Sequence, residues 1–114
     1  MYYLKFKSKG EWVRAVGGHA DFRKAVGLAD LATTSRGGPK LLRIVDDANN
    51  VIAVLRREKR RKGCGWLLVK NERGVWGRYG RPTEEYEREA EAEAVAEDLR
   101  LLGYEVIIVF AVLV

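Results

Sequence analysis

The chain has 114 residues, enough for one domain with a single core. A hydrophobic content of 47% excludes a disordered chain, while one cysteine and one histidine exclude a disulfide framework and a multi-histidine metal site. Residues 1–82 carry 19 Lys and Arg against 7 Asp and Glu, whereas residues 83–114 carry 2 against 9. This asymmetry favours either a polyanionic partner or charge pairing within the protein.

Two further features of the composition bear on where the protein works. Charged residues make up 32% of the chain and glutamine is absent, a pattern associated with heat-adapted proteins. The N-terminus lacks the apolar core of a secretory signal. The longest uncharged apolar run, 106–114, is well short of the roughly 20 residues of a membrane helix. We therefore expect a protein of the cytoplasm with no membrane partner.

The first half of the chain predicts two hairpins and a helix. Alternating residues at 2–7, the turn pair Lys9-Gly10 and the run 11–16 predict the first hairpin. The segment 19–34 has near-helical apolar spacing, and Asp21 is placed to cap it. The second hairpin is predicted from two apolar runs, 41–46 and 51–57, which are joined by Asp and Asn residues that tolerate left-handed backbone.

The second half predicts a third hairpin, the best helix and a final strand. Strands at 66–70 and 75–79 flank the turn 71–74. Thr83 opens a helix whose apolar stripe runs to Leu102, and Gly103 suits its end. The strand 104–114 is apolar throughout its later part, so it is either interior to a sheet or completed by a second subunit in a homodimer.

These elements predict an α+β fold in a single domain, 1–114. We expect a mainly antiparallel sheet of about five to six strands, one long C-terminal helix packed on one face and a short N-terminal helix. An alternative description is a β-α-β-β-α-β core with an inserted hairpin. We find no internal repeat in the sequence.

The segment 56–62 is the strongest functional signal, because six of its seven residues are Lys or Arg. Such cations neutralise phosphates and release counterions, and aromatic rings interleaved with cations in the next hairpin can stack bases. The acidic C-terminal helix would repel phosphate, so the sheet and its loops must make the contacts. The predicted nucleic-acid-binding residues are Arg56, Arg57, Lys59, Arg60, Arg61, Lys62, Trp66, Lys70, Arg73, Trp76, Arg78 and Arg81.

Other chemistry is less well supported by the sequence. Asp46, Asp47 and Glu58 loosely resemble the carboxylates of a metal-dependent nuclease, although the two aspartates suit a turn better. His19 has no nucleophile beside it, and Cys64 has no second cysteine to pair with. We therefore expect no enzyme activity, no cofactor and no metal.

The leading hypothesis is thus a small, non-enzymatic nucleic-acid-binding protein that contacts the phosphate backbone. The first alternative is an interaction module, in which the basic segment meets an acidic helix of another copy or of another protein. The second alternative is the metal-dependent nuclease.

Overall fold

A computed structural model describes residues 1–15, 17–34, 37–56, 65–80, 86 and 88–110. This part of the chain confirms the α+β class and contains seven strands and two helices. It divides into two compact units, unit 1 (Met1–Glu58) and unit 2 (Lys59–Val114). The expectation of a single domain stays a prediction. The elements are β1 (Tyr3–Ser8), β2 (Glu11–Arg14), α1 (Phe22–Thr34), β3 (Leu41–Val45), β4 (Val51–Arg56), β5 (Gly65–Lys70), β6 (Trp76–Arg78), α2 (Glu89–Leu101) and β7 (Val106–Phe110).

Unit 1 is an antiparallel sheet with the strand order β2-β1-β3-β4. The first hairpin turns at Lys9 and Gly10, whose φ angles of 50° and 82° fit the twist that joins two adjacent strands. The β3–β4 turn is closed by Asp46, whose Oδ1 accepts hydrogen bonds from the backbone N–H groups of Ala48 at 3.0 Å and Asn50 at 2.8 Å. Both predicted turns are confirmed.

Helix α1 covers one face of the unit 1 sheet. It begins after Asp21, whose Oδ1 accepts a hydrogen bond from the Arg23 N–H at 2.9 Å, as the capping prediction requires. Its inner side is small and fully buried, with Ala25 and Ala29 both at 0% exposure. The sheet positions beneath it are apolar and buried, so this face forms the core of unit 1. They are Leu4, Leu42, Ile44, Ala53 and Leu55.

Unit 2 is an antiparallel sheet with the order β6-β5-β7, covered by α2. Its core cluster contains Leu67 and Val106 from the strands and Ala92, Ala96 and Leu99 from the helix. Gly103 ends the helix region with a φ of 95°, the left-handed conformation expected of it.

Three predictions about unit 2 need adjustment. The described α2 begins at Glu89, with Arg88 as its N-cap and no side-chain cap, while Thr83 lies outside the described residues. Within the described residues, α1 and α2 have 13 residues each, so the expected difference in their lengths does not appear there. Strand β7 lies at one end of its unit's strand order, so among the described residues it is not an interior strand. A partner strand from a second subunit stays a prediction.

The expectation of no internal repeat is wrong. Both units contain a hairpin, then a helix, then a strand that returns antiparallel to the first strand of the hairpin. The β1–β2 hairpin aligns with the β5–β6 hairpin when the β5–β6 turn is allowed one extra residue. Five aligned pairs are then identical: Leu4 and Leu67, Lys7 and Lys70, Gly10 and Gly74, Trp12 and Trp76, and Arg14 and Arg78.

The strand registers confirm this alignment. Lys7 pairs with Trp12 as Lys70 pairs with Trp76. On the other side of the first strand, β1 pairs with β3 in the same register as β5 pairs with β7. The two units are therefore two versions of one ββαβ module, and unit 1 adds β4. The aligned positions of the return strand are Leu42 and Val106, Arg43 and Ile107, Ile44 and Ile108, and Val45 and Val109.

Candidate functional site

The face of the unit 1 sheet opposite α1 is rich in cations and aromatic rings. Successive residues of a strand point to opposite faces, and residues paired across strands share a face. Because Leu4, Leu42 and Ile44 point into the core, their neighbours point away from it. We call this surface the cationic face. Its members are Lys5, Lys7, Arg14, Arg43 and Arg56, together with the rings of Tyr3 and Trp12.

Three of these cations form a row across adjacent strands. Lys5 on β1 pairs directly with Arg14 on β2 and with Arg43 on β3. Side chains in such positions have Cβ atoms roughly 4.5–5.5 Å apart, and like charges there destabilise a sheet. The strand register therefore places three like charges side by side in unit 1.

Two of the cations lie against aromatic rings of the same face. The Arg14 Cζ atom is 4.1 Å from the centroid of the Tyr3 ring, and the Arg43 Cζ atom is 4.0 Å from the centroid of the Trp12 ring. Cation–π attraction holds each guanidinium at its ring. The Nε atom of Arg43 is buried and has no hydrogen-bond partner among the described residues.

Among the described residues, the carboxylate of Asp47 lies close enough to attract one cation of this face, Arg14. Within the described ranges, none of the five cations of the face forms an ion pair. Lys5 Nζ donates instead to the amide oxygen of Asn49 at 2.6 Å. Asp47 lies nearby, but its carboxylate accepts a hydrogen bond from the N-terminal ammonium at 2.7 Å and another from the Tyr3 hydroxyl at 3.1 Å. These bonds lower the pKa of Asp47 below its usual value.

The matching face of unit 2 has a different chemistry. Lys5 corresponds to Leu68, which is fully buried, and Arg43 corresponds to Ile107, which is 9% exposed. One contact is retained, since Arg78 lies over Trp66 as Arg14 lies over Tyr3, with 5.5 Å from Cζ to the ring centroid. The cation row is therefore particular to unit 1.

This difference concerns the predicted binding residues of the β5–β6 hairpin. Trp66 is only 3% exposed, so almost none of its ring is available to a base. Lys70 forms an ion pair with Glu105 at 3.1 Å. Trp76 and Arg78 are half-buried on that same face, while Arg73 is exposed in the turn. Their contact with nucleic acid stays a prediction, and the proposal below does not rest on it.

Most of the predicted basic segment falls outside the described residues. Arg57, Lys59, Arg60, Arg61 and Lys62 lie there, as do Arg81, Glu58 and Cys64. Arg56 is described and exposed, and it pairs with Leu41 on the cationic face. The basic segment therefore starts at this face.

The described residues give the nuclease hypothesis no added support. Asp46 accepts the turn hydrogen bonds, which lower its pKa, and Asp47 is bound as above. No group of three or more His, Cys, Asp or Glu side chains suited to a metal occurs among the residues with described positions. Within the same residues, no helix is long and apolar enough to cross a membrane.

Sequence reasoning missed the cationic face because its members come from separate strands. Lys5, Arg14 and Arg43 are far apart in the chain, and only the strand register brings them together. The signal that was available is the repeated Gly-x-Trp-x-Arg pattern of Gly10–Arg14 and Gly74–Arg78. This pattern aligns the β1–β2 hairpin with the β5–β6 hairpin, and in that alignment Lys5 corresponds to Leu68.

Comparison of the chain with protein-family models, with curated proteins and with solved structures finds no match.

Proposed function

We propose that this protein is a non-enzymatic nucleic-acid-binding protein whose cationic face contacts the phosphate backbone. The observation that carries the proposal is the row Arg14, Lys5 and Arg43, in which like charges lie side by side and form no ion pair with a carboxylate among the described residues. Phosphates spaced along a strand would neutralise such a row and release their counterions.

The basic segment 56–62 begins with a residue of this surface. Arg56 lies on the cationic face, and the cations that follow it in sequence can add phosphate contacts. Arginine forks match phosphate oxygens, and lysines add point charges. Contacts of this kind position a nucleic acid without reading its sequence.

The test is fluorescence polarisation with labelled single-stranded DNA, duplex DNA and RNA at two salt concentrations. The repeated module supplies a matched pair of variants, Lys7→Gln and Lys70→Gln. Lys7 is exposed, whereas the equivalent Lys70 pairs with Glu105. We expect Lys7→Gln to weaken binding and to reduce the slope of log K against log salt by about 0.7 to 0.9. Lys70→Gln should change both quantities less.

Polyglutamate distinguishes a nucleic-acid partner from an acidic protein. We expect it to compete weakly for the labelled strand at equal charge, because a carboxylate chain has no bases that could stack on the aromatic rings of this face. Absence of binding to all three nucleic acids at low salt would overturn the proposal. Equal affinity for polyglutamate would favour the interaction-module alternative instead.

A further inference from the structure

We infer that the ligand of the cationic face is single-stranded nucleic acid, with bases stacking at the Tyr3–Arg14 and Trp12–Arg43 pairs. This inference rests on the proposed function and names the class of ligand that the same face selects. Phosphate binding alone requires cations and no aromatic side chains. The face nevertheless carries two rings among its cations, and each ring has a guanidinium about 4 Å from its centroid.

The arrangement of the pairs suits a flexible strand. Along β1 the face presents Tyr3, Lys5 and Lys7 in turn, and Trp12 lies across from Lys7. The stacking positions are therefore separated along the sheet, with the lysines beside them placed to contact phosphates. Bases of a single strand can splay onto aromatic rings or guanidinium planes, whereas bases in a duplex are already stacked on one another.

Tyr3 is held in place for this role. Its hydroxyl donates to Asp47, and a Cβ atom at Gly18 would lie 2.7 Å from the ring carbon Cε1. The glycine thus lets the backbone approach the ring closely. These two contacts restrict the ring, so it loses little conformational entropy when a base stacks at the pair.

Arg43 can contact the strand through its terminal nitrogens. Its Nε atom is buried while the side chain lies at Trp12. A phosphate would therefore accept hydrogen bonds from the terminal N–H groups of the guanidinium. Binding of the strand therefore engages both partners of the pair, the ring with a base and the guanidinium with a phosphate.

The experiment compares three probes of equal length by fluorescence polarisation: an oligothymidylate, a duplex of mixed sequence, and an abasic sugar–phosphate strand. The abasic strand carries phosphates without bases, so it separates stacking from charge. We expect the oligothymidylate to bind most tightly. In Trp12→Leu its affinity should fall roughly 5- to 100-fold, the loss of about one stacked base, while abasic binding should hardly change.

Three further variants keep the result interpretable. Trp12→Phe retains a ring and should keep most of the affinity. Trp76→Leu changes the equivalent position of unit 2 and should lower the affinity less than Trp12→Leu does. Arg43→Lys keeps the charge but loses the planar group, so it should weaken the oligothymidylate more than the abasic strand. Circular dichroism establishes whether each variant is folded. If Trp12→Leu does not fold, Arg43→Lys tests the Trp12–Arg43 pair in its place.

The outcomes separate this inference from the proposed function. Equal affinity for the three probes, with no effect of Trp12→Leu or Arg43→Lys, would overturn single-strand stacking and leave phosphate binding intact. Tighter binding of the duplex would do the same. Failure of every probe to bind at low salt would overturn both.

Discussion

The two units of this protein share one backbone module, but the sheet faces away from their helices differ in chemistry. Each has a ββαβ module with the same strand register and the same Gly-x-Trp-x-Arg hairpin. At the centre of the face away from the helix, unit 1 has Lys5 between two arginines, and unit 2 has the buried Leu68. The shared scaffold therefore fixes where side chains point, and a few substitutions decide whether the face is a core or a charged surface.

The largest effect is expected from exchanging these two central residues. Leu68→Lys places an ammonium group at a fully buried position and removes apolar contacts, so we expect a loss of about 4 kcal/mol or more of unfolding free energy. The reciprocal change, Lys5→Leu, should leave the protein folded because Lys5 is only partly buried. Chemical denaturation measures both. Similar losses in the two variants would contradict the contrast between the faces.

The aligned glycines test whether the two hairpins obey the same backbone rule. Gly10 and Gly74 have φ angles of 82° and 79°, and Gly10 has no heavy atom within 4 Å of an added Cβ. Replacing either by alanine should cost about 1–2 kcal/mol, because a side chain disfavours left-handed backbone. Thermal unfolding gives the values. A cost at only one of the two sites would show that the turns are not equivalent.

The cation row predicts opposite changes in stability and in binding. Lys5→Met removes the central charge and keeps an unbranched stem, so the repulsion from Arg14 and Arg43 disappears. We expect unfolding free energy to rise by roughly 0.2–1 kcal/mol and nucleic-acid affinity to fall. Denaturation and polarisation measure the two quantities. A variant that loses stability and keeps its affinity would show that the row has no binding role.

The smallest effect concerns pH and unit 1 alone. The Asp46 and Asp47 carboxylates accept hydrogen bonds that lower their pKa values in the folded state. A lowered folded pKa contributes stability that is present above the unfolded pKa, near 3.8, and is lost as pH falls through the folded value. The melting temperature should therefore drop on acidification below about pH 4.

Asp46→Asn provides the control for this pH dependence. It keeps a side-chain oxygen for the turn but has no acid to titrate, so its melting temperature should fall less steeply over the same acidic range. An unchanged slope would assign the acid sensitivity to other carboxylates.

Local patterns predicted the hairpin turns, the Asp21 cap and the end of α2, because their signals lie within a few residues. As the sequence indicates, the first turn lies at Lys9 and Gly10, Asp21 caps α1, and Gly103 adopts a left-handed conformation after α2. Burial in the β5–β6 hairpin could not be predicted in this way. Tryptophan and arginine are typical of a binding face, and only the structure shows that Trp66 is 3% exposed with Arg78 over its ring. The row Arg14, Lys5 and Arg43 could not be predicted either, because its members come from separate strands.

The most direct test of the central claim follows the tryptophan indole N–H signals of the ¹⁵N-labelled protein during titration with oligothymidylate. The chain has three tryptophans, and Trp12 and Trp76 occupy equivalent positions in the two units. We predict that the Trp12 indole signal and the backbone amides of Lys5 and Arg43 shift saturably, and that the Trp76 indole signal shifts less than the Trp12 signal. A shift of Trp76 with Trp12 unchanged would contradict the account.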